Sequence, residues 1–144
     1  MAEKSGVIRW QENHSLGIAA DDPCSGSNVH LKQISSDYAK WEVDKDAGII
    51  RLNYASGQLY LGYAGSPSSG NALILTVDNV ATWDFASKPG FIMLKGTKLA
   101  IDVQSRNPGG VVWLYTFNGS PAQQWAFMSY ANFMADAAKE AATV

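Results

Sequence analysis

The chain has 144 residues, enough for one domain with a real core, and 47% of them are apolar against 17% charged, with thirteen glycines and a net charge of −2. That balance suits a loop-rich all-β protein better than a helical one. Neither a cluster of Lys or Arg nor an apolar stretch of membrane-spanning length is present, so neither a nucleic-acid partner nor direct membrane insertion is expected.

Cys24 is the single cysteine, which excludes an internal disulfide. The N-terminus lacks the apolar run of a signal peptide. Both features point to a cytoplasmic, reducing setting, with unconventional export as the other route.

Three units follow one another in chain order. The first, residues 5–46, opens on Val7-Ile8-Arg9-Trp10, runs through LGIAADDPCSGSNVHL (residues 16–31) and closes on Trp41 and Val43. The second, residues 47–88, opens on Ile49-Ile50-Arg51-Leu52, runs through LYLGYAGSPSSGNALIL (residues 59–75) and closes on Trp83 and Phe85. The third, residues 89–128, opens on Phe91-Ile92-Met93-Leu94, runs through LAIDVQSRNPGGVVWL (residues 99–114) and closes on Trp125 and Phe127. The opening runs and the tryptophans both keep an interval of 42 residues, and a fixed period outranks local propensity as a guide to the fold.

Within each unit, short apolar runs alternate with Gly-, Pro-, Ser- and Asn-rich turns, which predicts about twelve strands, among them residues 29–31, 59–61, 72–75 and 111–115. No unit buries its apolar face alone, and threefold closure of all-β units removes unpaired edges. The expected fold is a β-trefoil, with the repeated Trp and Val/Phe residues filling its centre. Past the third unit, a tail over residues 129–144 is patterned for a helix, since Phe133, Met134, Ala137, Ala138 and Ala141 share one side.

Chemistry is expected where the units differ. Asp102 stands where the others have Ala19 and Gly62. Tyr115 stands where they have Lys32 and either Leu75 or Thr76, and Gln123 where they have Ala39 and Ala81. The third unit adds Trp113 and Asn118. An acid, an aromatic face and a side-chain amide suit a sugar: the ring covers an apolar C–H face, the carboxylate accepts hydroxyl protons, and the amide offers a donor and an acceptor.

These residues also carry a family resemblance. Leu99-Ala100-Ile101-Asp102-Val103, then Trp113-Leu114-Tyr115, Asn118-Gly119 and the closing Gln123-Gln124-Trp125, resemble the ricin B-chain-type (R-type, QxW) lectins, and in particular their non-secreted fungal or bacterial members. The closing motif decays to Ala39-Lys40-Trp41 and Ala81-Thr82-Trp83 in the other units.

The resemblance implies a β-trefoil over residues 5–128 and a non-enzymatic lectin for terminal galactose or N-acetylgalactosamine. In it, Asp102 binds hydroxyls, Tyr115 stacks on the ring and Gln123 supports the site. It implies glycans as partners, self-association as a route to avidity, and neither cofactor nor metal. The chain departs from the family pattern in three places. Ala122 replaces an Asn, with Asn118 as substitute; Trp113 replaces a Gln and either extends the platform or obstructs it; Ala100 and Phe117 replace a disulfide.

The alternative function is a protein-binding trefoil, such as a protease inhibitor using the loops at residues 21–27 and 65–71. A Cys24–His30 nucleophilic pair has no orienting third group, so no enzyme is expected.

Overall fold

The computed structural model describes residues 3–54 and 58–132. Twelve strands run through them, four to a repeat. The first repeat carries β1 (Glu3–Trp10), β2 (Asn13–Ala20), β3 (Val29–Gln33) and β4 (Trp41–Asp44); the second carries β5 (Ile49–Leu52), β6 (Tyr60–Gly62), β7 (Ile74–Thr76) and β8 (Trp83–Asp84). The third carries β9 (Met93–Leu94), β10 (Leu99–Val103), β11 (Val112–Thr116) and β12 (Trp125–Ser129).

In every repeat the middle two strands form an antiparallel hairpin and the outer two build a barrel. The barrel closes through β1 pairing with both β12 and β4, β4 with β5, and β8 with β9. Single backbone bonds complete the circuit, Trp83 N–H to Gly48 O at 2.8 Å and Trp125 N–H to Gly90 O at 2.8 Å. This is the expected β-trefoil.

The hairpins are joined to one another by a ring of backbone bonds that repeats the threefold pattern. Gly26 N–H donates to Leu75 O, Gly70 N–H to Leu114 O, and Gly109 N–H to Leu31 O, at 2.8, 2.7 and 2.7 Å. Each donor therefore reaches into the next repeat and the last returns to the first. All three glycines sit at φ of 88° to 92°, where a Cβ is penalised.

The repeated tryptophans are buried and spend their indole N–H on the middle strands of their own repeats: Trp41 to Ile18 O, Trp83 to Leu61 O and Trp125 to Ile101 O, at 2.8, 3.2 and 2.9 Å. A large apolar ring with one satisfied donor can sit in a core at little polar cost.

The expectation for the residues two positions later holds only for Val43. Phe85 and Phe127 are partly buried rather than central, and the Lys45 ammonium lies 5.9 and 5.6 Å from their ring centroids. The bulkier ring does not fit where Val43 does, so it packs at the barrel's rim under a cation. Ala100 is fully buried and Phe117 meets Phe91 edge-to-face at 5.0 Å. Residues 130–132 make a helical turn; the helical tail expected on Phe133 to Ala141 lies outside the described residues.

Candidate ligand site in the third repeat

Asp102 on β10 lies directly across from Trp113 on β11, and Ala100 lies across from Tyr115. Side chains two apart share a strand face, so the indole and the phenol stand side by side. They stack with ring centroids 5.4 Å apart and planes 15° from parallel. Tyr115 is 40% exposed, whereas Asp102 is 5% exposed and Gln123 fully buried.

The carboxylate is held from two sides. Trp113 Nε1 donates to Asp102 Oδ1 at 2.9 Å, and Gln123 Nε2 donates to Asp102 Oδ2 at 2.9 Å. Gln123 is itself fixed at the end of a single 3-10 turn (Pro121–Gln123), which opens on a proline with its φ already suited to the turn. Its Nε2 also donates to Thr116 O at 3.0 Å. Its Oε1 accepts the Asn118 and Gly119 N–H groups at 2.9 and 3.2 Å.

One amide thus ties together β10, the end of β11 and the 118–120 turn. Burial pushes the Asp102 pKa above its ordinary range, opposed by the bonds from Trp113 and Gln123 and by the charge of Arg106. Two lone-pair sites remain on the carboxylate after these bonds, beside a flat aromatic surface. That pairing offers hydroxyl acceptors next to an apolar face.

All five residues singled out in the sequence therefore fall in one connected cluster. Trp113 stacks on Tyr115 and donates to one carboxylate oxygen of Asp102. Asn118 is exposed, and its Oδ1 accepts the Ser120 N–H at 2.9 Å, so its Nδ2 is the group left to offer. Asp102 is therefore part of the scaffold as well as of the candidate site. Removing the carboxylate strips the partner from Trp113 Nε1 and one of the two acceptors from the buried Gln123 Nε2.

The other two repeats lack the cluster at the same place. Register makes Thr76, opposite Tyr60, the counterpart of Tyr115. A Cβ on Gly62 would come within 2.8 Å of Val80 Cγ2 and 3.1 Å of Thr76 Oγ1, so an acid there would require Val80 to shift. Ala39 and Ala81, both buried, carry no amide to brace a carboxylate. In the first repeat, His30 and Lys32 occupy the positions of Trp113 and Tyr115, and both hold Asp21, at 2.8 and 2.9 Å. Burial opposes ionisation of Asp21, but those two bonds and their charges outweigh it and lower its pKa.

Sequence reading placed Ser69 and Gly70 only in the 65–71 loop of the protein-binding alternative and not beside this cluster. Ser69 Oγ accepts the Thr116 N–H at 3.0 Å, and Ala72 bridges Trp113, so the second repeat's loop walls the third repeat's surface. Only the inter-repeat ring creates that contact, and no local motif announces it.

No family model matches the sequence, and no curated protein matches it. Solved structures do. A Macrolepiota procera ricin B-like lectin in complex with lactose is 18% identical, with a TM-score of 0.70 over 90% of this chain and 97% of that one. The C-half of an earthworm R-type lectin in complex with GalNAc is 14% identical, with a TM-score of 0.69 over 88% and 98%. A designed threefold-symmetric protein, ThreeFoil, is 20% identical, with a TM-score of 0.70 over 87% and 98%. Likeness of backbone at such identities establishes the fold, and the chain is a β-trefoil built on the same plan as these proteins.

Proposed function

We propose that the chain is a non-enzymatic lectin whose third repeat grips a terminal galactose or N-acetylgalactosamine. The observation that carries this reading is the Asp102 carboxylate, braced by Trp113 and Gln123 beside the stacked Trp113–Tyr115 surface. A pyranose lays its apolar face on the exposed Tyr115 ring while its hydroxyls donate to the carboxylate lone pairs left free. The Asn118 Nδ2 takes a further hydroxyl oxygen in place of the Asn that Ala122 replaces. The matched lectins seen with lactose and GalNAc support the choice of sugar.

A single shallow site of this kind gives affinities on the order of 0.1–1 mM, about −4 to −5.5 kcal/mol. Useful avidity then comes from self-association or linked copies. A glycan array on the purified protein, with and without free galactose, tests the reading. Galactose-terminated glycans are retained and competed off; absence of any galactose-sensitive signal discards it.

A further inference from the structure

A second feature lies away from Asp102. Among the described residues, Arg9 Nε is a buried side-chain nitrogen without a hydrogen-bond partner. An unmet buried donor of a charged group is costly. Arg9 lines a cleft of about 450 Å³ together with Lys45, Ser129 and Asn132, over a floor of Val43, Phe127 and Met128. The cleft shares no residue with the third-repeat cluster.

The donors come from separate elements: Arg9 from β1, Lys45 from the turn after β4, Ser129 from the end of β12, Asn132 from the turn beyond it. Lys45 is held in place by the rings of Phe85 and Phe127. Ser129 Oγ accepts the Asn132 N–H at 3.4 Å, which leaves its own proton to give. Asp46 is the lone acidic residue among the described lining residues. Donors drawn from several elements around one cleft suit a tetrahedral oxyanion better than a planar carboxylate, for which one guanidinium fork suffices. The volume exceeds that of a bare anion, and the apolar floor receives whatever the anion is attached to.

We propose that this cleft is an oxyanion site that takes a phosphate or sulfate monoester, with Arg9 as its principal donor. Sequence repetition supplies the control: the position of Arg9 is Met93 in the third repeat, so Arg9→Met places a residue the fold already accepts at an equivalent point.

The test is an NMR titration of the full chain with inorganic phosphate and, separately, sulfate, against chloride at matched ionic strength, following the arginine Nε–H resonances. The expected result is a saturable shift of the Arg9 Nε–H signal with one or both oxyanions and none with chloride; the anion that gives the tighter saturation identifies the ester. Arg9→Met weakens that binding, read on the Ser129 and Asn132 amides, by about tenfold or more, as expected for losing one charge-assisted contact. Lys45→Gln weakens it several-fold and serves if Arg9→Met does not fold. A response that only follows ionic strength, or unchanged binding in these variants, overturns the proposal.

Discussion

Trp113 Nε1 donates to the Asp102 carboxylate at 2.9 Å across the β10–β11 ladder, from the position directly opposite. The bond orients an aromatic plane and a buried anion with respect to each other, and it leaves Tyr115, stacked on the same indole, as the exposed face.

Trp113→Phe keeps a ring over Tyr115 but removes the donor. Loss of a hydrogen bond to a charged, buried acceptor costs about 1.5–3 kcal/mol, and the Asp102 pKa rises further. Urea unfolding of the variant, with a chevron or equilibrium midpoint as readout, should show this loss with an unchanged m-value. An unchanged midpoint would mean that the indole contributes packing alone.

The raised pKa of Asp102 sets two opposed pH responses. Because the folded protein holds this proton more tightly than the unfolded chain, Asp102's contribution to stability is complete below its unfolded pKa. It is lost as pH rises through the folded value. Sugar binding runs the other way, because the protonated acid loses acceptor capacity. Galactose titrations between about pH 7 and pH 3 should lose affinity with a midpoint above the ordinary 3.8. A midpoint at or below that value would separate binding from Asp102.

Tyr115→Ala and Asp102→Ala should divide binding from folding. Tyr115 is exposed, so its truncation changes stability by about 0.5 kcal/mol while abolishing retention on galactose resin. Asp102→Ala abolishes retention too, but it also leaves an indole N–H without its acceptor and costs about 1–3 kcal/mol. Resin retention and thermal melts on both variants give the comparison. Full retention by Tyr115→Ala would remove the stacking face from the site.

Gly109→Ala tests the inter-repeat ring. At φ of 92° an L-residue is strained by about 1–2 kcal/mol, and nothing lies within 4 Å of the added Cβ. The expected destabilisation is therefore conformational. A melt indistinguishable from the parent would show that the turn relaxes without cost.

The fold was legible because its marks are periodic. Trp41, Trp83 and Trp125 must each cap a middle strand of the same geometry, so one spacing recurs and the sequence shows it. Gly6, Gly48 and Gly90 keep that interval as well, at the points where the barrel meets the tryptophan strands. The burial of Phe85 and Phe127 was misjudged because periodicity specifies a position and says nothing of how much volume that position holds.

The candidate cluster was half legible. Asp102, Tyr115 and Gln123 stood out by differing from their counterparts, which is a property of sequence alone. That Gln123 would hold the carboxylate, that Trp113 would cover one of its oxygens, and that Ser69 would brace the neighbouring strand depend on distances set when hairpins from different repeats close on one another. The orphaned Arg9 nitrogen is of the same kind: Val7-Ile8-Arg9-Trp10 marks a barrel strand, but only the packing of β1 against its neighbours determines which of its polar atoms loses water. A linear sequence fixes which side chains alternate and recur, because that follows from local backbone geometry, whereas the meeting of groups far apart in the chain is decided by how the three repeats close.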